Sequence, residues 1–483
     1  MVTINFGYVA NLPPEEQGWL NELIEIYRYH QTSNEKKREY YDGKIALGDV
    51  NLGIAIPSTI AKLQIGCAWG AKTVDVLAAH SIFDGFVTEN GTESADMKAI
   101  MQRNHLISEY NKAVKEELKY GCAFAAISGE IGEARVRFYS PHCAAAAWNA
   151  RDGRIRYGFA FEDGRRDESD LTWTPEHVNF YTDTDIWQLD RVGGTWKATQ
   201  IPHEFGEPLM VALIWGATND KPFGQSRLNS PVRKLINGYV RTVANATIGL
   251  EFATSPQKYL LGVSDEQYDL LVDNKFKQYV GNILLSTNNP ETGEKPSFGQ
   301  LAQGSIEPHV QMLRLLATQF SAATGLTIAD TGVVNDANPT SSEAIIAQSQ
   351  TLILLAEQLN AANGDSLYRI GKMALAVELG TTPNDLPDGT QELIAHFKNP
   401  AMPSVSSTAD AALKIATARE GFAKTDIFLE MIGFDQADIR RIRAQEQRTR
   451  GESILMEEFG SEDNGDSVES VHQSNVSDQS ESG

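Results

Sequence analysis

Three consecutive stretches decide how this chain is built: SIEPHVQMLRLLATQFSAATG (Ser305 to Gly325), LTIADTGVVNDAN (Leu326 to Asn338) and PTSSEAIIAQSQTLILLAEQLNAANGDSLYRIGKMALAVEL (Pro339 to Leu379). The first reads as a helix. Ser305 is a good N-cap residue, and Glu307 and Pro308 suit a first turn. Ile306, Val310, Leu313, Ala317, Phe320 and Ala323 then recur at three- and four-residue spacing as one apolar stripe. Thr324-Gly325 supplies the stop, because glycine tolerates the left-handed cap. The third stretch reads as a very long helix. Thr340 and Glu343 have capping-box spacing, and Ile345, Ile346, Leu352, Leu355, Leu359, Ile370, Met373 and Val377 are its apolar positions. To Leu379 it spans roughly 60 Å at 1.5 Å per residue, with a kink expected at Asn363-Gly364-Asp365.

The connection Leu326–Asn338 carries Asp330 and Asp336 and no Lys or Arg; its other residues are mostly small. Connections inside compact domains usually run about 4–6 residues. A longer one is either a loose surface loop or a loop that has to reach something without adhering to it.

A chain of 483 residues suggests two to four domains with ample core. Its 41% hydrophobic and 22% charged residues are ordinary for a globular protein. No apolar run approaches about 18 residues, so no membrane span is expected, and Met1–Pro14 lacks a signal-peptide pattern. Cys67, Cys122 and Cys143 lie far apart with no C-x-x-C, which predicts buried free thiols in a reducing compartment. Net charge is −22. Nine of those carboxylates lie after Arg450, in a tail without Lys or Arg, and the body stays acidic without them. A protein that grips DNA phosphates should show a basic stripe. If nucleic acid is a partner here, it is guided and not clamped.

Taken in order, Glu15–Asp42 reads as a helix with Leu20, Leu23, Ile24, Ile26 and Tyr27 on one face, closed by Tyr40-Tyr41-Asp42-Gly43. A second helical region covers Thr59–His80, and Phe83-Asp84-Gly85-Phe86 reads as a turn. Ser94–Tyr120 reads as one helix with Met97, Ile100, Met101, Ile107, Tyr110 and Val114 on its stripe. From Cys122 to Ile214 the period is that of strands. Hairpin tips are expected at Asp152-Gly153, Asp163-Gly164 and Gly193-Gly194. Trp148, Trp173, Trp187, Trp196 and Trp215 concentrate here, either as a stacking platform for bases or, more simply, as the core of a small β-rich module. Helical period returns from Ser226 to Thr254. Strands are expected at Lys258–Val263 and Asn282–Ser286 around a helix at Ser264–Phe276. Thr382–Pro403 is turn-rich. Three short helices follow at Ser407–Gly421, Lys424–Ile432 and Gln436–Arg450, and the rest has a disordered composition.

No catalytic motif survives inspection. Gly66–Thr73 lacks phosphate-loop spacing. Gly224-Gln225-Ser226-Arg227-Leu228 lacks the last glycine of a nucleophile elbow. No two of the nine histidines have helical metal-ligand spacing. Asp163, Asp167, Glu168 and Asp170 are interleaved with Arg165 and Arg166 and read as a solvated turn. Catalytic, metal and cofactor residues are therefore assigned to none.

Four blocks, in order, carry a resemblance. They are Tyr40–Lys44 through Ile56-Pro57, Val74–Leu77 and Asp84–Phe86; Phe223-Gly224-Gln225-Ser226-Arg227; Phe252 to Gly262; and Asn338 to Ile345. With the elements between them, roughly Glu22 to Arg450 resembles the portal, or head–tail connector, proteins of tailed bacteriophages of the siphovirus type. The acidic tail has no clear counterpart there.

The resemblance implies an α+β, mainly helical fold of portal type with wing, stem, clip and crown. Residues 1–225 would be the wing, including a β-rich module at 121–215. Residues 226–254 and 305–324 would be the stem helices and 255–304 the clip. Residues 325–339 would be the tunnel loop, 340–380 the long helix and 381–450 the crown, followed by the acidic tail, 451–483. It implies a homo-oligomeric ring, commonly of twelve, in the virion at one capsid vertex, made in the host bacterial cytoplasm. Its partners would be the large terminase subunit, a head-completion or adaptor protein, major capsid and scaffolding proteins, and double-stranded DNA in transit, with no membrane and no enzymatic activity. Ile328, Asp330, Thr331, Val333, Asn335, Asp336 and Asn338 would face DNA. Val310, Leu313, Leu316, Phe320, Leu235, Tyr239 and Val243 would pack the stem. Another virion structural protein, or a hydrolase or nucleic-acid enzyme without a visible motif, are the alternatives.

Overall fold

A computed structural model of the chain describes residues 6–45, 65–88, 94–166, 173–254, 258–261, 293, 297–300, 305–332, 342–387, 393–401, 405–419, 421–434 and 436–459. Two compact units divide it, residues 1–401 and 402–483.

The first unit opens with β1 (Val9–Ala10) and α1 (Pro14–Tyr41), whose Leu20, Leu23, Ile24 and Tyr27 are buried as the apolar period requires. α2 (Trp69–His80) is shorter than expected, since residues 65–68 are not helical. Residues 59–64 lie outside the described residues. Phe83-Asp84-Gly85-Phe86, read as a turn, begins strand β2 (Phe83–Thr88) instead. The single helix expected over Ser94–Tyr120 is two, α3 (Ala95–Asn104) and α4 (Leu106–Tyr120), broken at His105 with φ 50° and ψ 40°. Left-handed backbone is unfavourable for a side chain larger than glycine, and local bonds offset it. The Asn104 amide donates to Ile100 O (2.9 Å) and Ala134 O (3.0 Å) and accepts from Val136 N (3.0 Å). The break turns Ile107 out to solvent and puts Leu106 into the core.

Strands β3 (Cys122–Ser128), β4 (Arg135–Tyr139), β5 (Ala144–Asn149), β6 (Arg154–Arg166), β7 (Trp173–Tyr181), β8 (Asp185–Val192), β9 (Thr195–Pro202) and β10 (Met210–Ile214) follow. They form a six-stranded sheet, β1-β9-β8-β7-β6-β5, and a three-stranded one, β10-β3-β4. Hairpins turn at Asp152-Gly153 and Gly193-Gly194 as expected. Asp163-Gly164 does not turn. It lies inside β6, paired with His177 and Pro175 across a register shift, where proline has no N–H to continue the ladder. Asp163 is thus on a strand, and Asp167, Glu168 and Asp170 lie outside the described residues. Trp187 and Trp196 are buried under the six-stranded sheet with Phe159, Phe180 and the α1 face, so these two tryptophans are core. Trp148 and Trp215 are half-buried.

Helix α5 (Ser230–Thr254) begins later than Ser226, because Asn229 is the residue whose carboxamide oxygen accepts from Val232 N (3.1 Å). Then come β11 (Lys258–Leu261) and its antiparallel partner β12 (Ser297–Gln300). The expected elements at 264–276 and 282–286 lie outside the described residues. α6 (Glu307–Thr324) starts two residues after Ser305, with no side-chain cap on Ile306, and stops at Gly325, φ +73°. α7 (Ser342–Leu379) runs unbroken through Asn363-Gly364-Asp365 to the end expected. Its Thr340–Glu343 cap falls outside the described residues. Strand β13 (Leu393–Phe397), unforeseen in a turn-rich stretch, pairs antiparallel with β2.

One large core joins Leu352, Ala356, Leu359, Leu367, Ile370 and Met373 of α7 to α2, α4, β2, β3 and β10. It contains a polar chain. Ser81 Oγ and Tyr110 OH are 2.9 Å apart, and Asn363 donates to Tyr110 OH (3.0 Å) and to Glu117 Oε2 (2.8 Å). Burial pushes the Glu117 carboxyl up to about 8. Cys67 and Cys122 are buried and Cys143 is half-buried; all three are free thiols.

The second unit has α8 (Val405–Ala418), α9 (Asp426–Ile432) and α10 (Gln436–Phe459), the last longer than its expected end at Arg450. Arg443 ties α10 to Asp426 (2.7 Å) and Lys424 O (2.5 Å). The fold class is α+β.

Candidate functional site

The start of α5 and the end of α6 meet in the core. Val232, Ile236, Val240 and Ala244 of α5 are buried at four-residue spacing, and Leu316, Ala317, Phe320 and Thr324 of α6 face them. Close approach depends on Gly238, where a Cβ would stand 3.1 Å from Leu316 Cδ2. Of the residues expected to pack here, Leu316 and Phe320 are buried, and Leu235, Tyr239, Val243 and Leu313 are half-buried. Val310 is exposed in the single chain. It lies on the half of α6 away from the core.

Two residues that sequence reading passed over fix this junction. Trp69 opens α2. Its ring lies 4.5 Å from Phe320 of α6 at 30° and 4.5 Å from Tyr239 of α5 at 39°. Its Nε1–H donates to Thr331 O at 3.0 Å. Arg227 is buried just ahead of α5. Its Nε donates to Thr73 O (2.7 Å) and its Nη2 to Thr324 O (2.5 Å). Burial lowers its pKa to about 10, which leaves it charged at neutral pH. Among the described residues it has no carboxylate partner; the cation instead meets the last turn of α6, where helix carbonyls concentrate negative potential.

The first residues of the loop after α6 are held in place. Leu326 is buried, and Ser321 Oγ donates to its carbonyl (2.6 Å). Asp330 Oδ2 accepts from Thr327 N (2.9 Å) and Oγ1 (2.7 Å), closing a 3-10 turn at Ala329–Thr331. Gly332 follows at φ +75°. Thr331, expected to face DNA, is only 8% exposed, and its hydroxyl donates to Ile328 O. Ile328 and Asp330 are half-buried. Val333, Asn335, Asp336 and Asn338 lie outside the described residues.

No local signal could have pointed to Trp69 or Arg227, because their partners lie 262 and 154 positions away in sequence. Among the described residues no helix is long and apolar enough to cross a membrane, and no cluster of His, Cys, Asp or Glu is placed to hold a metal.

A family model described as "Phage portal protein, SPP1 Gp6-like" matches residues 20–452. The chain belongs to this family. The match ends where the acidic tail begins, and it covers the stretch on which the resemblance was drawn. A protein described as "Portal protein" from Mycobacterium phage D29 is 21% identical over 452 residues, which is 90% of each chain. Similar solved chains come from particles of a gene transfer agent (GTA). One, from "Neck of native GTA particle computed with C12 symmetry", is 12% identical, with 76% of this chain and 89% of the other covered and a TM-score of 0.43. A second, from "Neck of empty GTA particle computed with C6 symmetry", is 14% identical, covering 79% and 95%, also at 0.43. The function is that of a phage portal protein, a channel at one vertex of the capsid.

Proposed function

We propose that the chain assembles into a closed ring, twelve subunits being the family's usual number, with α5 and α6 as its stem. Residues 1–225 form the wing, 255–304 the clip, 325–339 the tunnel loop, 340–380 the long helix and 381–450 the crown; the tail is given no role. Double-stranded DNA passes through the ring, the large terminase subunit and then a head-completion protein dock on it, and capsid and scaffolding proteins surround it. The ring itself carries no enzymatic activity.

The observation that supports assembly is the state of α6 off its buried face. Val310, Met312 and Leu315 of α6 are 36%, 42% and 51% exposed. Apolar side chains exposed along one helix fit an interaction surface, and a heterologous interface that closes on itself covers it in every subunit. An acidic chain with no Lys or Arg in the tunnel loop then lets a duplex slide, since there is no cation to trap phosphates.

Charge reversal in the loop tests this reading. Asp330→Lys with Asp336→Lys places roughly two dozen cations around the ring, and each phosphate neutralised releases counterions. The expected result is normal assembly but slow packaging, read as DNA length against time in a reconstituted terminase reaction, with partial rescue at higher salt. Asp330→Asn with Asp336→Asn keeps an acceptor for Thr327 and should be milder. Wild-type rates for the lysine variant at low salt would show that the loop does not face DNA.

A further inference from the structure

We infer that Trp69 is the positioning residue for the root of this loop: it sets where the turn Leu326–Gly332 stands relative to both stem helices. The bonds inside the turn, from Asp330 to Thr327 and from Thr331 to Ile328, give it a shape but not a place. Leu326 is held by Ser321 and Thr324, which belong to α6 itself. Among the described residues, the Trp69 indole N–H is the one hydrogen bond reaching the turn from outside α6 and the turn. It arrives at Thr331, five residues beyond Leu326 and next to Gly332.

The donor is itself fixed. Gly70 sits so close to the end of α1 that a Cβ there would fall 2.0 Å from Tyr40 O, so α2 can approach only with glycine at this position. Tyr41 OH donates to Asp75 (2.9 Å), tying the same two helices again. Tyr40 OH donates to Asn237 (2.7 Å) on α5, and Arg227 holds Thr73 O and Thr324 O together. The indole therefore stands on a frame shared by α1, α2, α5 and α6. Its ring contacts Tyr239 and Phe320, one on each stem helix, while its N–H holds the turn. A tilt of either stem helix displaces the ring and carries the turn with it. The loop's root follows the stem pair.

This inference rests on reading 325–339 as the tunnel loop, and the experiment separates the two claims. Trp69→Phe keeps an aromatic ring between Tyr239 and Phe320 and removes only the N–H. In assembled rings of the full chain, Trp69→Phe should leave ring size and melting temperature unchanged. Hydrogen exchange at residues 326–332 should accelerate about tenfold, the scale of one buried hydrogen bond in a local opening equilibrium, with exchange in α5 and α6 unaltered. Unchanged exchange at 326–332 would overturn the inference whatever happens to DNA. Faster exchange supports it. DNA packaging then reports on the other claim: a slowed rate supports the tunnel-loop reading, and a wild-type rate with a loosened turn would sink that reading while leaving the positioning role intact. Trp69→Leu, which removes ring and N–H together, should spread the faster exchange into α5 and α6; exchange confined to the turn in that variant would remove the claimed link to the stem.

Discussion

The root of the α5–α6 pair and the exposed side of α6 are built on opposite principles. At the root, where α5 starts and α6 ends, Val232, Ile236, Leu316 and Phe320 are buried in the chain's own core. A buried arginine and an indole N–H complete the joint. On α6, Val310 and Met312 nearer its start, and Leu315 off the buried face beside Leu316, are exposed. The same amphipathic period thus does two jobs. Near the core it fixes the helices within one subunit. Off that face, apolar side chains of α6 stay exposed, the surface that the proposed ring interface would use.

The largest expected break in this contrast is at the root. Leu316→Asp puts a carboxylate against Gly238 at a buried position, and should destabilise the chain by about 4 kcal/mol or more. The expected readout is loss of protease resistance in α5 and α6 of the single chain, before any question of rings arises. On the exposed side of α6, Met312→Asp with Leu315→Asp should leave the chain's denaturant midpoint within about 0.5 kcal/mol of wild type, as for surface changes generally. Mass photometry should nevertheless find subunits in place of rings. Rings of normal abundance would mean that this side is not an interface. The effect that depends on pH belongs to the body in which the root is set. α4 carries Glu117, and the next carbonyl, Leu118 O, accepts from Arg227 N (2.9 Å). The folded Glu117 pKa, about 8, is raised above its ordinary 4.5. The unfolded chain therefore loses this proton first, and stability falls as pH rises from about 4.5 to 8, by at most about 1.4 kcal/mol per unit. Glu117→Gln can still accept from Asn363 and has no proton to lose. Its melting temperature should match wild type near pH 4.5 and exceed it increasingly toward pH 8; a constant difference across that range would contradict a buried, protonated Glu117.

What was legible in the sequence was local. The Gly325 stop, the end of α7 at Leu379, the buried face of α1 and the tips at Asp152-Gly153 and Gly193-Gly194 each follow from residues a turn or two apart. What was missed depends on distant residues. The left-handed His105 is stable because Asn104 reaches the β4 edge. Asp163-Gly164 looks like a turn until Pro175 is seen opposite it. In the candidate site, Leu316 and Phe320 declared themselves by spacing. Trp69 and Arg227 sat in stretches rejected as catalytic motifs, and nothing near them states that they join α2, α5 and α6. Asn363, expected to bend α7, instead pins it to Tyr110 and Glu117.

The pairing of β2 with β13 has a consequence for biosynthesis. Phe83–Thr88 finds its partner only at Leu393–Phe397, about 300 residues later. At roughly 5–20 residues per second, a ribosome takes on the order of 15–60 s to deliver it. During that interval β2 offers an unpaired edge, the kind of surface that chaperones cover and other nascent chains invade. A polypeptide that terminates early never closes this sheet.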